Sequence, residues 1–147
     1  MVISNSVRGF TGKYRFLSNF YLASFLMDGW EWPSVEHYYQ AHKSADSSEI
    51  IRIGGLTTCI GAKRAGRRTK LRKDWIKIKD DVMFAALIGK FSLHYELRKK
   101  LLATGNMKLV ETNDWGDTYW GEDTAYGGKN KLGKMLMRIR RIYQLND

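Results

Sequence analysis

The chain has 147 residues, of which 44% are hydrophobic and one is proline, so it fits a single globular domain over residues 1–147 and not a disordered or low-complexity chain. Lysine and arginine outnumber aspartate and glutamate by 25 to 15, and the resulting formal charge of +10 favours phosphate-bearing partners without identifying them. No apolar stretch is long enough for a signal peptide or a membrane span. The single cysteine, Cys59, excludes an internal disulfide, so we expect a cytoplasmic protein.

The first predicted elements surround a turn and a helix start. Residues 14–25 are aromatic and irregular, which predicts short extended pieces leading to a turn at Asp28-Gly29. Ser34 is a favourable N-cap, and apolar residues recur at helical spacing after it, so we predict an amphipathic helix over residues 34–45. Glu36 then lies in the first turn of that helix.

Five more helices are predicted from apolar periodicity, capping residues and glycine stops. Their ranges are 47–53, 57–65, 74–90, 92–104 and a C-terminal helix that contains 132–143. Between the last two, residues 107–112 form a predicted short strand, and residues 113–129 form a structured loop rich in glycine, aspartate and aromatics. The predicted fold class is therefore mainly α, a single-domain helical fold with a few short β-strands.

Several kinds of chemistry find no support in the sequence. The histidines His37, His42 and His94 share no metal-ligand spacing with the carboxylates, and no glycine-rich nucleotide-binding motif is present. Cys59 has no histidine partner in the sequence and is interpreted as a small buried hydrophobe. We therefore expect neither a metal nor a cofactor.

Two carboxylates lie among aromatic residues: Glu36, and Asp117 within the loop 114–121. An acid in apolar company can hold an unusual pKa, which is a property of catalytic groups. From spacing alone a structural role is the simpler interpretation, because a glutamate in a first helical turn suits the helix dipole and an aspartate in a glycine-rich loop makes turns. Trp75 has the same two interpretations, as a core residue or as a stacking surface for a ligand.

Positive charge is concentrated between residues 63 and 79. These cations either form a solvated surface or bind something negative, and the sequence leaves both interpretations open. The residues concerned are Lys63, Arg64, Arg67, Arg68, Lys70, Arg72 and Lys73.

The sequence also contains a series of distinctive motifs. They are FLSNF at 16–20, WPSVEHYYQAHK at 32–43, AKRAGR at 62–67, LRKDW at 71–75, KF at 90–91, LLATG at 101–105, LVE at 109–111, DTYWG at 117–121 and NKLG at 130–133. In order and spacing these motifs resemble the NADAR family, also called YbiA-like, which includes the riboflavin-biosynthesis-intermediates N-glycosidase. The resemblance covers nearly the whole chain.

The resemblance implies hydrolysis of a ribose C–N bond, in ADP-ribosylated guanine for some members and in ribosylamine phosphate intermediates for others. By motif position it implies that Glu36, Trp75 and Asp117 carry the activity. Residues 122–126 depart from a glycine-rich run common in the family, which bears on the pocket rim and on substrate choice. The favoured function is removal of ADP-ribose from guanine in nucleic acid or nucleotides, and the alternative is an N-glycosidase of ribosylamine 5-phosphate intermediates of riboflavin biosynthesis.

A mechanism can be written for these residues as a hypothesis. Glu36 positions or deprotonates the attacking water, and Asp117 holds the ribose hydroxyls or the leaving nitrogen, with the two roles interchangeable. Trp75 stacks on the substrate or walls the pocket. Asn19 and Asn130 are predicted to hydrogen-bond the sugar or base, and Lys43, Arg64 and Arg67 to clamp the phosphate. Phe20 and Trp120 complete the predicted substrate-binding residues.

A hypothesis of a different class is a non-catalytic module that binds ADP-ribose or nucleic acid through the basic segment around Arg67. Pure binding has no need for Glu36 and Asp117 together. Loss of turnover with retained binding in Glu36→Ala would support the enzyme, whereas unchanged turnover would contradict it.

Overall fold

The structure is a computed structural model that describes residues 5–146. Its elements are six α-helices, one 3-10 helix at Gly12–Leu17 and six short strands within the described residues, so the predicted mainly helical class is confirmed. In chain order they are β1 (Ser6–Arg8), β2 (Phe25–Met27), β3 (Trp30–Trp32), α1 (Val35–Ala41), α2 (Ser47–Gly54), α3 (Cys59–Arg68), α4 (Trp75–Leu93), α5 (Tyr95–Ala103), β4 (Lys108–Val110), β5 (Thr112–Asn113), β6 (Glu122–Asp123) and α6 (Lys131–Asn146).

These elements belong to two compact units. The central unit comprises Asn19–His94, and the terminal unit comprises residues 5–18 together with 95–146. Across the described part of the chain, no helix combines the length and apolar character needed to cross a membrane.

The central unit begins with the hairpin of β2 and β3. The two strands are antiparallel, with Phe25 opposite Trp32, and both of these side chains are buried. The predicted turn at Asp28-Gly29 is confirmed, since both residues adopt positive φ angles, 57° and 79°. Two consecutive left-handed residues match the right-handed twist of a tight hairpin.

Helix α1 lies at the centre of this unit and packs against α2, α3 and α4. Ser34 caps it as predicted, because its hydroxyl accepts the backbone N–H of His37 at 3.1 Å. The predicted helix over 34–45 is too long, since α1 ends at Ala41. The chain turns there because Ser44 accepts the N–H of Asp46, and Asp46 is the N-cap of α2.

Two boundaries in the central unit differ from the sequence prediction. Helix α3 starts after Thr58, one residue later than expected, and runs through Gly66 instead of stopping there. Helix α4 includes Ser92 and Leu93, which were predicted to open the next helix. The Ser92 hydroxyl donates to the Gly89 carbonyl at 3.3 Å, so it bonds within its own helix and does not cap a new one.

The terminal unit is held by a parallel pairing of β1 with β4, in which Val7 lies opposite Leu109. Helix α6 packs on β4 and α5. The extended pieces expected over 14–25 are wrong at their start, because Gly12–Leu17 forms a 3-10 helix closed by bonds such as Ser18 N–H to Arg15 O at 2.9 Å.

The loop between β5 and α6 is the predicted structured loop, with one short addition. Strand β6 pairs in parallel with β5, Thr112 lying opposite Glu122. Asp123 organises the surrounding turn, because its carboxylate accepts backbone N–H groups from Gly116, Ala125 and Tyr126 at 2.8 to 2.9 Å. These charge-assisted bonds lower the pKa of Asp123.

Candidate active site

The carboxylate of Glu36 is buried and fixed in the central unit. Its side chain is 7% exposed, although it lies in the first turn of α1. Gln40, one turn later, donates its side-chain N–H to Glu36 Oε1 at 2.8 Å. The backbone N–H of Glu36 donates to the carbonyl of Asn19 at 3.2 Å. Glu36 is therefore held both by its own helix and by the segment that carries Asn19.

The Gln40 carboxamide is in turn positioned by Gly66 of α3. A Cβ atom at residue 66 would overlap the Gln40 side chain, so α3 approaches α1 this closely only because residue 66 is glycine. A carboxylate can only accept hydrogen bonds, which requires Gln40 to present its NH₂ group to Glu36. Gly66 is thus a packing residue of the site and not a helix stop.

Two buried acceptor atoms near Glu36 lack a hydrogen-bond partner among the described residues: Asn19 Oδ1 and Gln40 Oε1. The NH₂ group of Asn19 contacts the sulfur of Met83 at 3.5 Å, a weak acceptor. Buried polar atoms are nearly always hydrogen-bonded, so each such exception calls for an explanation. The Asn19 amide oxygen is the one that belongs to a predicted substrate-binding residue.

Trp75 is the first residue of α4 and is buried. Its ring lies 5.1 Å from that of Tyr39, with the two planes at 59°. Lys43 places its ammonium 5.6 Å from the centre of the same Tyr39 ring. Tyr39 follows Glu36 by three residues on α1, so the two side chains lie on the same side of that helix. Trp75 and Lys43 both contact the Tyr39 ring from outside α1.

The electrostatic surroundings of Lys43 connect it to Glu36 and to three further cations. Burial lowers the pKa of Lys43, Glu36 opposes this shift, and Arg67, Lys63 and Lys79 add to it. Lys63 also lies 5.8 Å from the ring centre of Phe20. The central unit thus gathers one acid, a group of cations and aromatic rings, which suits a phosphorylated ligand.

Arg64 is exposed on α3 and makes no ion pair within the described residues. Its prediction as a phosphate contact therefore depends on a ligand that extends along the surface of α3.

Asp117 belongs to the terminal unit, where its loop is rigidly held. Asp117 Oδ1 accepts the backbone N–H groups of Tyr119 at 3.1 Å and Trp120 at 2.9 Å. The Asn113 side chain donates to the Asp117 carbonyl at 2.8 Å and accepts its N–H at 2.9 Å. The carboxylate is oriented by its own loop, and Trp120 packs edge-on against Tyr119 with ring centres 4.9 Å apart.

Asn130 has a structural role that sequence reasoning did not anticipate. It is 2% exposed and adopts a positive φ of 51°. Its amide oxygen accepts the N–H of Glu111 at 3.0 Å, and its NH₂ group donates to the Leu109 carbonyl at 2.9 Å. Both ends of the amide therefore tie β4 to the start of α6, and a substrate contact would compete with these bonds.

Two titratable residues of note were absent from the predicted site. Burial, reinforced by the negative charge of Asp117, raises the pKa of Glu111 to about 7. Burial lowers the pKa of Lys90 to about 7, with Cys59 opposing the shift. The sequence signal for Glu111 was its place directly after the apolar pair Leu109-Val110, and for Lys90 its place in an otherwise apolar helical stretch.

Cys59 fits the structural interpretation given to it. It is buried and reduced, and its sulfur lies 3.3 Å from both the Phe20 carbonyl oxygen and the Ser34 hydroxyl oxygen, so its single S–H proton has two acceptors within reach. Among the described residues, no group of three or more His, Cys, Asp or Glu side chains is arranged to hold a metal ion.

A groove of about 810 Å³ lies elsewhere on the central unit. Its walls are the start of α2, with Asp46 and Glu49, and the segment 68–74. Asp74 is paired with Arg72 at 2.6 Å. The residues that line the groove include neither Glu36 nor Trp75.

Comparison with known proteins relates this geometry to a family. The NADAR domain matches residues 8–144. The chain belongs to the NADAR family. This match extends over both units of the fold.

Named relatives of this NADAR chain include an N-glycosidase. N-glycosidase YbiA of Escherichia coli strain K12 is 44% identical over 129 residues, which cover 86% of this chain and 80% of that protein. A riboflavin biosynthesis protein of Vibrio vulnificus is 36% identical over 135 residues, covering 90% of this chain and 36% of that protein. An NMR structure of Escherichia coli YbiA matches with a TM-score of 0.88 at 37% identity, over 99% of this chain and 89% of that one.

The predictions of a NADAR-family chain, a YbiA-like helical fold and an N-glycosidase enzyme are confirmed by these comparisons. The substrate and the roles of Glu36, Trp75 and Asp117 stay predictions.

Proposed function

We propose that this N-glycosidase removes ADP-ribose from guanine in nucleic acid or nucleotides by hydrolysing the ribose C–N bond. Cleavage of that bond builds positive charge on the sugar, which a carboxylate stabilises while a base guides water to the anomeric carbon. In this proposal Glu36 activates the water, Asp117 holds the ribose hydroxyls or the leaving nitrogen, and Trp75 walls the pocket. The reaction needs no cofactor.

The observation that carries the proposal is the set of cations around Lys43 beside the buried carboxylate of Glu36. Lys63, Arg67 and Lys79 all act on Lys43 electrostatically, and Glu36 acts on it with the opposite charge, so four cations share one region with this acid. Like charges repel, and their concentration is favourable once an anion is bound between them. The diphosphate of ADP-ribose distributes its charge over two phosphoryl groups, so it can contact more of these cations at once than a single phosphate group can.

Glu36 is suited to its proposed role because it is buried and held. The 2.8 Å bond from Gln40 limits the positions that the carboxylate can adopt. Pre-organisation of this kind lowers the cost of reaching the transition state. The buried amide oxygen of Asn19 would gain a hydrogen-bond donor from a ribose hydroxyl or a base N–H group, which supports Asn19 as a substrate contact.

Exposed cations on the central unit support nucleic acid as a carrier of the modified guanine. Four of them are exposed and make no ion pair among the described residues: Arg64, Arg68, Lys70 and Lys73. Cations of this kind displace condensed counterions from a polynucleotide, so the affinity should fall as salt rises. A modified mononucleotide lacks the extended backbone and should show a weaker salt dependence.

The proposal includes a cytoplasmic location. Cys59 is buried and forms no disulfide, and a protein with one cysteine gains no internal disulfide from an oxidising compartment. Cell fractionation with an antibody against the intact chain would test this part of the proposal.

A second candidate is hydrolysis of ribosylamine 5-phosphate intermediates of riboflavin biosynthesis. It is supported by the name of the Vibrio vulnificus relative. These intermediates carry one phosphate, so they would use the Lys43 region less fully than ADP-ribose would. The two candidates share the bond that is broken and differ in the released sugar phosphate.

Mass spectrometry of the products tests the proposal. The wild-type chain, Glu36→Gln and the control Glu31→Gln, an exposed acid on β3, are each incubated with ADP-ribosylated guanine substrates and with ribosylamine 5-phosphates. We expect free ADP-ribose from the wild type and the control, and a rate lower by roughly 10²-fold or more in Glu36→Gln. Release of ribose 5-phosphate alone would establish the second candidate, and release of neither sugar would refute both.

A further inference from the structure

Glu111 and Asp117 are two acids of the terminal unit that differ in their surroundings. We propose that Glu111 is the proton donor to the leaving guanine nitrogen, acting beside Asp117. The inference rests on the proposed function and adds to it a residue and a step. Because Glu111 then contacts the leaving nitrogen, the role left for Asp117 is to hold the ribose hydroxyls.

The backbone of Glu111 is fixed at both its polar atoms. Its N–H donates to Asn130 Oδ1 at 3.0 Å, and its carbonyl accepts the N–H of Glu122 at 2.7 Å. These two bonds join the end of β4 to the loop before α6 and to β6. The backbone of Glu111, which carries the side chain, is therefore fixed as firmly as the backbone of a residue within a sheet.

Gly121 brings the Asp117 loop against the Glu111 side chain. A Cβ atom at residue 121 would lie 3.1 Å from Glu111 Cγ and 2.5 Å from the Glu111 carbonyl, so this approach is possible only for glycine. Gly121 ends the motif that begins with Asp117. The same close packing shields one side of the Glu111 side chain from water.

Glu111 and Asp117 differ in their hydrogen bonds and in their burial. Asp117 Oδ1 accepts two backbone N–H groups, which orient a carboxylate. For Glu111, burial is the larger influence and the negative charge of Asp117 the smaller, and together they raise its pKa to about 7. Neighbouring acids with such different environments are the usual arrangement for dividing the roles of acid and carboxylate between two residues.

Other charged groups on the elements around Glu111 are engaged with different partners. Arg8 on β1 pairs with Glu122 on β6 at 3.3 Å. Lys129 and Lys131 place their ammonium groups 5.5 Å and 5.0 Å from the centre of the Tyr119 ring. The charged group that shifts the pKa of Glu111 is Asp117.

The bond between the anomeric carbon and the guanine nitrogen breaks, and its electron pair goes to nitrogen, which takes the carboxyl proton of Glu111. The oxygen of water bonds to the anomeric carbon, and its proton passes to the water-activating carboxylate. Glu111 is reprotonated from solvent, which is favourable near neutral pH.

Two substrates with different leaving groups test the inference. One is an ADP-ribosylated guanine oligonucleotide, and the other is the p-nitrophenyl glycoside of ADP-ribose, whose leaving group departs without a proton. Glu111→Gln should lower kcat on the guanine substrate by roughly 10² to 10³-fold and change kcat on the nitrophenyl substrate by less than about 3-fold. The matched control is Glu122→Gln, a neighbouring acid, which should affect neither substrate by more than about 3-fold.

The pH profile provides a second readout. For the wild type on the guanine substrate, kcat/KM should fall as pH rises above about 7, because Glu111 loses its proton, and Glu111→Gln should lack this fall. Equal losses on both substrates would show a structural role and overturn the inference alone. No turnover of the guanine substrate by the wild type would refute the proposed function and the inference together.

Discussion

Gly66 links the packing of α3 to the geometry of Glu36, and its replacement by alanine tests that link. The new methyl carbon would lie 2.8 Å from the Gln40 Cδ atom and 3.0 Å from its Cβ atom, below ordinary contact distance. Either α3 must move or the Gln40 side chain must rotate away. Rotation breaks the 2.8 Å hydrogen bond that holds Glu36.

The expected size of the effect combines three contributions. Overpacking of a filled interior costs about 1–3 kcal/mol. Loss of a hydrogen bond to a buried carboxylate costs about 1.5–3 kcal/mol. Alanine is favoured over glycine within a helix by about 1 kcal/mol, so we expect Gly66→Ala to lower the free energy of unfolding by about 2–5 kcal/mol.

Turnover should fall as well, because a displacement of about 1 Å in a reacting group can cost about 10²-fold in rate. Urea unfolding followed by tryptophan fluorescence measures the stability, and release of ADP-ribose measures the turnover. The control is Gly55→Ala at the C-cap of α2, where φ is −90° and a Cβ atom approaches nothing closer than 3.3 Å. That variant should keep wild-type turnover.

A double variant separates sterics from hydrogen bonding. Gly66→Ala combined with Gln40→Ala removes the overlap with the Gln40 carboxamide and leaves the 3.0 Å approach to the Cβ atom of residue 40, so part of the lost stability should return. The hydrogen bond to Glu36 stays absent, so turnover should stay low. Wild-type stability and turnover in Gly66→Ala alone would refute the claim that residue 66 must be glycine to hold Gln40 in place.

Three further predictions concern stability. Burial lowers the pKa of Lys90 from 10.5 to about 7, so the folded state binds fewer protons than the unfolded state between these values. The free energy of unfolding should therefore rise with pH across that window by up to about 5 kcal/mol. Urea titrations at pH 7 and 9 measure this rise, which should be smaller in Lys90→Met. The raised pKa of Glu111 has the opposite sign, so the free energy of unfolding should fall by up to about 3 kcal/mol as pH rises from 4.5 to 7, and Glu111→Gln should abolish this fall. Ser34→Ala removes the α1 cap and should cost about 1–2 kcal/mol in thermal unfolding, whereas Ser47→Ala, inside the first turn of α2, should cost less than half of that.

Local features of the fold were readable from the sequence because they depend on neighbouring residues. Ser34 caps α1 through a bond to a residue three positions later, and Asp28-Gly29 turns the hairpin through two adjacent φ angles. Gly105 adopts the left-handed conformation expected after α5. The motif around Glu36 similarly placed the chain in the NADAR family, since motif order is a property of the sequence itself.

The tertiary structure decided what depends on distant parts of the chain. In a sequence, glycine usually indicates flexibility or the end of a helix. Gly66 lies inside α3 instead, and the position requires glycine because Gln40 of another helix fills the space beside it. Asn130 is predicted to bind substrate, and only the tertiary structure shows that its amide also bonds to the backbone of residues 109 and 111.

The same distinction holds for the titratable groups. Apolar neighbours in the sequence are the only local signal for Glu111 and Lys90, and the shift of each pKa to about 7 comes from burial by the folded chain. Capping and turn preferences act within about four residues, so the sequence alone determined them. Desolvation and close packing are set by whatever the fold brings into contact, and only the tertiary structure could decide them.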